Sequence, residues 1–434
     1  MLNRIENSTF IKSTLILLIG GIFGKIVGFI LKILITRKLG TEGMGLFSVL
    51  SPTSSLLSVI AVFSYSNAVS KIVSEETSRT KNLFLSLIPF SLLINIFVII
   101  IVIIFSKALS YSLVKNNSLY LPIICISLTM PFISISSIVK GYFWGKQNMF
   151  PYMLSNFIEQ IVRLVIIIFF VDVFLKKGLI ETICFITLVN IIGEISSQIV
   201  MMKYFPKVKF NKNDFKLNKS IIKEVFNFCF PVTLSKVIGS LSYFLEPIIL
   251  TNISIYVGYT KEYIIYEYGI VNAYALSLLL MPQFFTQNMA TSLIPELSKQ
   301  YKLKNINLCK KRIKQIIIVS VLIGFLSTII ILLFPKLFLK LLFNTNEGLD
   351  YIYLLAPATI LFYVEYPLNN ALQALGKSKK TFNITLTSSI IRIISILFFS
   401  LFKIGMYSLV ISIIINLIVS TYLYYKEIKK ILFV

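Results

Sequence analysis

The sequence predicts an all-α integral membrane protein with about 12 transmembrane helices, and three observations support that fold class. Of the 434 residues, 56% are hydrophobic and 14% are charged, compared with roughly 25% charged residues in soluble domains. The mean hydropathy is +0.86. The apolar residues fall into windows close to the ~20 residues that cross about 30 Å of hydrocarbon. Because backbone polar groups inside a bilayer must pair within their own segment, we expect these windows to be helices.

Twelve apolar windows are separated by short polar segments, and each is expected to form one span. In chain order they are 13–36, 45–69, 83–106, 119–139, 151–175, 179–202, 224–252, 264–294, 315–335, 350–374, 381–402 and 404–424. The eighth window is the longest. We expect a kink there at Pro282, because proline interrupts the hydrogen-bond ladder of a helix.

Lysine and arginine are distributed unevenly between the two sides of the predicted membrane. With the N-terminus in the cytoplasm, 27 of the 42 basic residues fall in inner segments and 10 in outer loops. The remaining five lie inside spans. Short loops rich in Lys and Arg stay on the cytoplasmic side. We therefore predict a multi-pass protein of the cytoplasmic (inner) membrane with both termini in the cytoplasm.

Several function classes are excluded by missing residues. The chain has no histidine, so it has no imidazole base, no His–metal site and no Ser-His-Asp triad. No Walker loop, Asp-x-Asp pair or G-x-S-x-G elbow occurs. We predict a transporter and not an enzyme, with no catalytic residue, no metal and no cofactor. The cysteines form no C-x-x-C pair, and we expect neither disulfides nor metal binding from them. They are Cys125, Cys184, Cys229 and Cys309.

The formal net charge of +24 would suit a nucleic-acid binder. Its distribution excludes that partner, because the basic residues punctuate apolar runs and do not line a polar domain. Two predicted cytoplasmic loops are strongly basic: 203–223 has seven lysines, and 299–314 has six lysines and Arg312. We expect these loops to contact anionic membrane lipids. Docking of a partner protein is the alternative.

Two short echoes indicate an internal repeat. Segment 29–36 resembles 243–251 once one residue is inserted, and Lys32 then aligns with Glu246. A second echo joins two Gly-Lys pairs that each precede an arginine inside a span. These are Gly145-Lys146 with Arg163, and Gly376-Lys377 with Arg392. Both echoes place the second half 214–231 residues after the first.

Each half would contain six spans in the same orientation, because six is an even number. This predicts two parallel six-helix repeats around a central cavity, related by an axis along the membrane normal, with a site near the midplane. The expected domains are an N-terminal six-helix lobe (1–202), a basic cytoplasmic linker (203–223) and a C-terminal six-helix lobe (224–434).

Ionisable residues inside spans cost a few kcal/mol on insertion scales, so each one needs a partner or a function. Lys25 and Lys32 are seven residues apart, a rotation of about 700°, and so share one face of the first span. One interpretation is a cationic wall for an anionic head group, since lysine binds phosphate as a mobile point charge. The alternative is that Glu246 or Glu194 pairs with these lysines, or that Lys32 extends to the interface.

The other intramembrane charges have local patterns. Glu159 and Arg163 have the i,i+4 spacing of an ion pair. Asn190, Glu194 and Gln198 form a polar stripe, which suits either packing between lobes or a cation or proton site. Lys236 and Glu246 lie in the seventh span. Glu365 and Arg392 add charges to the second half, and the sequence assigns them no partners.

Six stretches together resemble the stage V sporulation protein B family. They are Leu39-Gly-Thr-Glu-Gly-Met-Gly-Leu-Phe47, Asn67-Ala-Val-Ser-Lys71, Gly141-Tyr-Phe-Trp-Gly-Lys-Gln-Asn-Met149, Glu159-Gln-Ile-Val-Arg163, Phe230-Pro-Val-Thr233 and Leu241-Ser-Tyr-Phe-Leu-Glu-Pro247. The family belongs to the multidrug/oligosaccharidyl-lipid/polysaccharide exporter superfamily and is related to lipid II flippases. The resemblance implies a two-lobed, V-shaped bundle that moves a lipid-linked peptidoglycan precursor outward for spore cortex synthesis.

The flippases' motif of a basic residue, two others and Gly-Phe falls on Lys25-Ile-Val-Gly28-Phe29. Their cavity-facing basic residue therefore carries over to Lys25. The next arginine and acid of the flippases fall on Leu31 and Lys32, where this sequence departs from the pattern. The chain also shows twelve spans where the family commonly has fourteen, so it lacks the pair that forms a lipid-tail groove in lipid II flippases.

The resulting hypothesis is a flippase for an undecaprenyl-diphosphate-linked glycan that works by alternating access. Lys25, Lys32 and Lys236 would bind the diphosphate, and Glu246 would offset their charge in the empty site. Glu159, Arg163, Glu194 and Arg392 would be structural or coupling charges. The alternative is a cation-coupled exporter of drugs or other small molecules on the same fold. A scaffold without transport activity is a third class.

Overall fold

The computed structural model describes the backbone of residues 2–75, 80–115, 117–146, 148–206 and 218–432. Side chains are described in these ranges except at 2–20, 22, 75, 235, 288 and 291–296. Every regular element in the described ranges is helical. Residues 207–217, about half of the predicted linker 203–223, lie outside the described residues.

Seven helices precede the linker. They are α1 (Leu2–Val62), α2 (Tyr65–Glu75), α3 (Thr80–Val114), α4 (Tyr120–Leu128), α5 (Met130–Gly145), α6 (Phe150–Leu175) and α7 (Leu179–Lys203). Helix α1 is interrupted at Gly40, whose φ of 66° favours a residue without a Cβ. Thr129 alone separates α4 from α5, with Pro131 in the first turn of α5.

Nine helices and one π-helical segment follow the linker. They are α8 (Lys219–Tyr256), α9 (Lys261–Gly269), the π-helical segment (Ile270–Ala275), α10 (Leu276–Leu280), α11 (Gln283–Lys302), α12 (Ile306–Leu333), α13 (Pro335–Phe343), α14 (Leu349–Ala374), α15 (Ser378–Ser400) and α16 (Tyr407–Leu432). The interruption expected at Pro282 is confirmed, because α10 ends at Leu280 and α11 begins at Gln283. The π-helical segment upstream of it was not predicted.

The all-α membrane class is confirmed. Within the described ranges, ten helical stretches are long and apolar enough to cross a membrane. One of them, Phe23–Ser74, contains residues 23–36 of the first predicted window and the whole of the second, on either side of Gly40. The ten do not include α6, although its 26 residues cover the fifth window. The chain therefore has about ten to twelve spans.

The chain divides into two compact units. The first unit contains residues 1–39 and 50–241, and the second contains 40–49 and 242–434. The core of the first unit is built largely from α2, α3 and α5, including the buried Tyr65, Leu83 and Phe143. The core of the second is built largely from α14 and its neighbours α12 and α16, including Leu368, Ile313 and Tyr424.

Helix packing follows the same order in the two units. In the first, α2 packs on α5, α3 on α4 and α5, α4 and α5 on α7, and α6 on α7. In the second, α11 and α12 pack on α14, α14 on α16, and α15 on α16. We number the six predicted spans of each half from one to six. In both units the contacts then join spans two and four, three and four, four and six, and five and six. This order supports an internal repeat, while the lobe limits 1–202 and 224–434 stay a prediction.

Candidate functional site

Lys25 and Lys32 lie on α1 in the first unit, and both side chains are exposed in the structure. Within the described ranges, no acidic side chain forms an ion pair with either of them. Gly28 lies between the two lysines, and a Cβ there would be 3.5 Å from Gln160 Oε1 of α6. Helix α6 therefore lies beside the part of α1 that carries the two cations.

Lys236 lies on α8, also in the first unit, and its side chain reaches a break between two helices. Its Nζ donates a hydrogen bond to Ser64 Oγ at 3.3 Å, and Thr233 Oγ1 donates to the same oxygen at 3.3 Å. The Lys236 side chain is exposed, whereas Ser64 is buried. No carboxylate forms an ion pair with Lys236 among the residues that are described.

The break itself lies between α1 and α2, inside the second predicted span. Phe63 and Ser64 adopt left-handed backbone conformations with φ of 42° and 53°, and α2 begins at Tyr65. The first backbone N–H groups of a helix lack intrahelical partners and carry its positive dipole end. One of them, Ser66 N–H, donates to Ser137 Oγ at 3.3 Å. A half-helix start of this kind inside a membrane is suited to contact with an anion.

Four ionisable side chains form a buried cluster in the first unit, which we call the four-charge cluster. Arg163 Nη2 lies 2.7 Å from Glu159 Oε1 and 3.7 Å from Glu194 Oε1. Lys140 Nζ lies 4.0 Å from Glu194 Oε2. The cluster joins α5, α6 and α7, and its two cations balance its two carboxylates. Gly193 makes room for it, because a Cβ there would be 2.4 Å from Arg163 Nε.

The second unit holds a smaller set of buried charges around Glu246, which is 1% exposed. Arg392 of α15 forms an ion pair with Glu246 of α8. Tyr268 of α9 donates a hydrogen bond to Glu246 Oε1 at 3.1 Å. Glu365 of α14 is hydrogen-bonded to Ser420 and is attracted by the charge of Arg392. Arg392 therefore interacts with two carboxylates: it forms an ion pair with Glu246 and attracts Glu365 electrostatically.

The structure distributes the predicted site residues over both units. Lys25, Lys32 and Lys236 belong to the first unit, and Glu246 belongs to the second. The sequence suggested a lysine as the partner of Glu246, and the structure gives it Arg392. Whether these residues bind substrate stays a prediction. Within the described ranges, no group of three or more Cys, Asp or Glu side chains is placed to hold a metal ion.

Lys140 and Tyr268 were missed by the sequence reasoning. Lys140 falls one residue beyond the predicted fourth window and was counted with a loop, but α5 continues to Gly145. A helical continuation of that window would have placed Lys140 near Glu194. No sequence pattern marks Tyr268 as a partner of Glu246, because this contact depends on how α9 packs against α8.

The two sequence echoes can be extended to a pair of contacts, one in each unit, between residues that they place at equivalent positions. The first echo aligns Gly28 with Ser242, and the second aligns Gln160 with Ser389. Gly28 packs against Gln160, and Ser242 Oγ donates to the Ser389 carbonyl oxygen at 3.3 Å. The same pair of helices therefore meets at the same register in each unit, which supports the repeat.

Residues 40–49 are attached to the second unit by polar and close backbone contacts. Thr41 Oγ1 donates to Glu347 Oε2 at 3.0 Å and lies 2.9 Å from the Tyr274 hydroxyl. A Cβ on Gly269 would be 2.7 Å from the backbone of Gly45. The two glycines thus allow α1 and α9 to approach each other at backbone distance.

Fold and charge distribution define a class: a multi-pass membrane protein with helical units that hold buried ion pairs. The family described as "Polysaccharide biosynthesis protein" matches residues 10–301. The chain belongs to this family. A second family, MatE, matches residues 240–398.

Two curated proteins of Bacillus subtilis (strain 168) are similar to the chain. Stage V sporulation protein B is 29% identical over 379 residues, which cover 85% of this chain and 73% of that protein. Lipid II flippase MurJ is 24% identical over 337 residues, which cover 71% of this chain and 61% of that protein. The resemblance inferred from the sequence motifs is thereby confirmed.

A solved structure shares the fold. It is the inward-facing conformation of a multidrug resistance MATE family transporter of the MOP superfamily, with a TM-score of 0.75 and 15% identity. The alignment covers 93% of each chain. These relatives support the predicted class of transporter and not enzyme.

Proposed function

We propose that the protein is a flippase that moves a lipid-linked glycan diphosphate across the membrane by alternating access. The proposal rests on the exposure and the ion pairing of three lysines, Lys25, Lys32 and Lys236. All three side chains are exposed in the first unit, in helices with long apolar stretches, and none has an acidic partner within the described ranges. An uncompensated cation in such a helix is costly unless an anionic ligand balances it.

Lys236 supports a diphosphate as that ligand. Its Nζ is 3.3 Å from Ser64 Oγ, beside the N-terminal end of α2. Ammonium, hydroxyl and backbone N–H groups are the donors that bind phosphate oxygens in proteins. Three carboxylates of the predicted spans are already compensated, because Glu246, Glu159 and Glu194 each have an arginine partner.

The substrate we propose is an undecaprenyl-diphosphate-linked peptidoglycan precursor for the spore cortex. Two curated relatives support this choice: one is named a stage V sporulation protein and another a lipid II flippase. Binding alone gives no direction, since a ligand shifts a conformational equilibrium only by its differential affinity for the two states. Precursor supply, the membrane potential or a coupling ion must bias the cycle.

We place the protein in the cytoplasmic membrane with both termini inside. The basic loops 203–223 and 299–314 would then contact anionic lipids on the inner leaflet. Labels placed after Val434 and within 205–215 should be cytoplasmic, and a label near Asn117 should be external. Cysteine labelling that finds the C-terminus outside would require an odd number of spans and would contradict the parallel repeat.

Cation-coupled export of drugs or other small organic molecules is the second candidate, and the MatE match to residues 240–398 favours it. The discriminating experiment compares two assays in proteoliposomes: flipping of fluorescent lipid II, and efflux of cationic dyes. We expect flipping with little dye efflux. Dye efflux without lipid II flipping would replace the flippase proposal with the exporter.

Lys236→Gln tests whether Lys236 binds the substrate. It should lower lipid II flipping about tenfold or more, because a charge-assisted hydrogen bond contributes about 1.5–3 kcal/mol. Lys340→Gln is the matched control, since Lys340 is an exposed lysine of α13 outside the proposed site. Equal activity of both variants would remove Lys236 from the site.

A further inference from the structure

Cys125 and Cys184 lie side by side in the first unit. Cys125 belongs to α4 and Cys184 to α7, two helices that pack together. Their thiols are near enough to influence each other. Each cysteine is five residues past the first residue of its helix, Tyr120 or Leu179. At 1.5 Å per residue, each thiol is therefore about 7.5 Å along its helix, which agrees with their contact.

The pair differs from the other cysteines in its accessibility. Cys125 and Cys184 are both partly exposed, whereas Cys229 is 0% exposed. No sequence pattern predicts the pair, because 59 residues separate the two positions and no C-x-x-C motif marks them. Because α4 and α7 pack together with the two thiols as neighbours, a side-chain movement is what separates them from the ~2.05 Å of a disulfide.

We propose that Cys125 and Cys184 form a redox-modification site in which an intramolecular disulfide ties α4 to α7. The oxidant is a low-molecular-weight disulfide or the disulfide of a thiol–disulfide oxidoreductase. Thiolate attack forms a mixed disulfide, and the second thiolate displaces the remaining thiol. Two electrons and two protons pass from the cysteine pair to the oxidant, which leaves as two thiols.

The outer side of the membrane is where this chemistry is expected. With the orientation proposed above, α4 and α7 both begin at the outer surface, so the pair lies in the outer half of the bilayer. Disulfides persist in extracytoplasmic compartments and are rare in the reducing cytosol. The site therefore depends on the proposed orientation but not on the proposed substrate.

Oxidised glutathione tests the proposal on the full chain in right-side-out proteoliposomes. After oxidation, the protein is quenched in acid, denatured and alkylated with N-ethylmaleimide, and its peptides are mapped by mass spectrometry. We expect loss of the maleimide adducts on both Cys125 and Cys184 and a crosslinked peptide joining them. Dithiothreitol should restore both adducts, and the adduct on Cys229 should be unchanged throughout.

Single variants provide the control. In Cys125→Ala, oxidation without dithiothreitol should give no crosslinked peptide at Cys184, only a maleimide or a glutathione adduct, and Cys184→Ala should behave likewise for Cys125. Stable glutathione adducts on wild-type protein without the crosslink would overturn the proposal, as would unchanged alkylation of both thiols. Oxidation only when glutathione disulfide is enclosed inside the vesicles would overturn the outer location. The presence or absence of the crosslinked peptide in the wild-type protein tests the proposal even if a variant fails to fold.

Discussion

The two units hold their buried charges in different ways. In the first unit, Glu194 lies near both Arg163 and Lys140, and Lys140 also attracts Glu159, the ion-pair partner of Arg163. Lys140 can therefore compensate in part for loss of Arg163. In the second unit, Arg392 is the only ion-pair partner of Glu246 among the described residues. The comparison predicts that Arg163 and Arg392, which the sequence alignment of the two halves pairs, contribute different amounts to stability.

Arg392→Gln should have the largest effect, because it leaves Glu246 buried without a cation. Removing one partner of a buried ion pair costs about 3–5 kcal/mol. We expect a lower midpoint of thermal unfolding in detergent and a reduced yield of membrane-inserted protein. The double variant Arg392→Gln/Glu246→Gln is the control and should recover most of the loss. A single variant with the wild-type midpoint would contradict the second unit's dependence on this pair.

Lys25→Gln should come next, and its effect should appear in transport and not in folding. Lys25 has no acidic partner in the described part of the chain, so its removal leaves no buried charge. Loss of a charge-assisted contact to a diphosphate corresponds to about a 10–100-fold slower flipping rate. Lys25→Arg should keep much of the activity, and Lys25→Glu should lose essentially all of it. Normal flipping by Lys25→Gln would remove this lysine from the substrate site.

Arg163→Gln should cost less stability than Arg392→Gln. Lys140 stays 4.0 Å from Glu194 and retains part of the compensation. We expect a loss of about 1.5–3 kcal/mol, the range of a hydrogen bond to a charged group. Measurement of the unfolding midpoint in the same detergent gives the difference directly. If Lys140→Gln is combined with Arg163→Gln, the loss should exceed the sum of the single losses, because neighbouring charges are coupled.

Lys38→Gln should have the smallest effect of the set. Lys38 Nζ lies 2.7 Å from Asp172 Oδ1, but the two side chains are 40% and 57% exposed. Exposed ion pairs contribute about 0–1 kcal/mol and are screened by salt. The unfolding midpoint should therefore change little at physiological ionic strength. A decrease in the unfolding midpoint as large as that of Arg163→Gln would show that exposed and buried ion pairs contribute equally to stability in this protein.

Local patterns predicted more of the molecule than long-range contacts did. Hydropathy gave the positions of the helices, and the i,i+4 spacing of Glu159 and Arg163 placed both on one face of α6, where they form an ion pair. Glu246 and Arg392 are 146 residues apart, and no periodicity connects them. Their pairing depends on the packing of α8 with α15, which a single sequence does not specify.

Breaks in helices were predicted only where proline marks them. Pro282 gave a correct prediction for the start of α11. The break at Phe63 and Ser64 has neither glycine nor proline, so its left-handed backbone carries no sequence signal. The candidate anion site beside Lys236 depends on that break, and sequence reasoning could select Lys236 only by its charge.

The attachment of residues 40–49 to the second unit limits how the chain can be divided. Any fragment cut within 207–217 separates Gly45 from Gly269 and Thr41 from Glu347, contacts that belong to one unit. A C-terminal fragment made alone would leave Gly269, at the end of α9, without the backbone of Gly45 against it. Split-protein reporters at this loop should therefore reassemble only when both fragments are made together, and a C-terminal piece that carries its own copy of 40–49 should be the more soluble version in detergent.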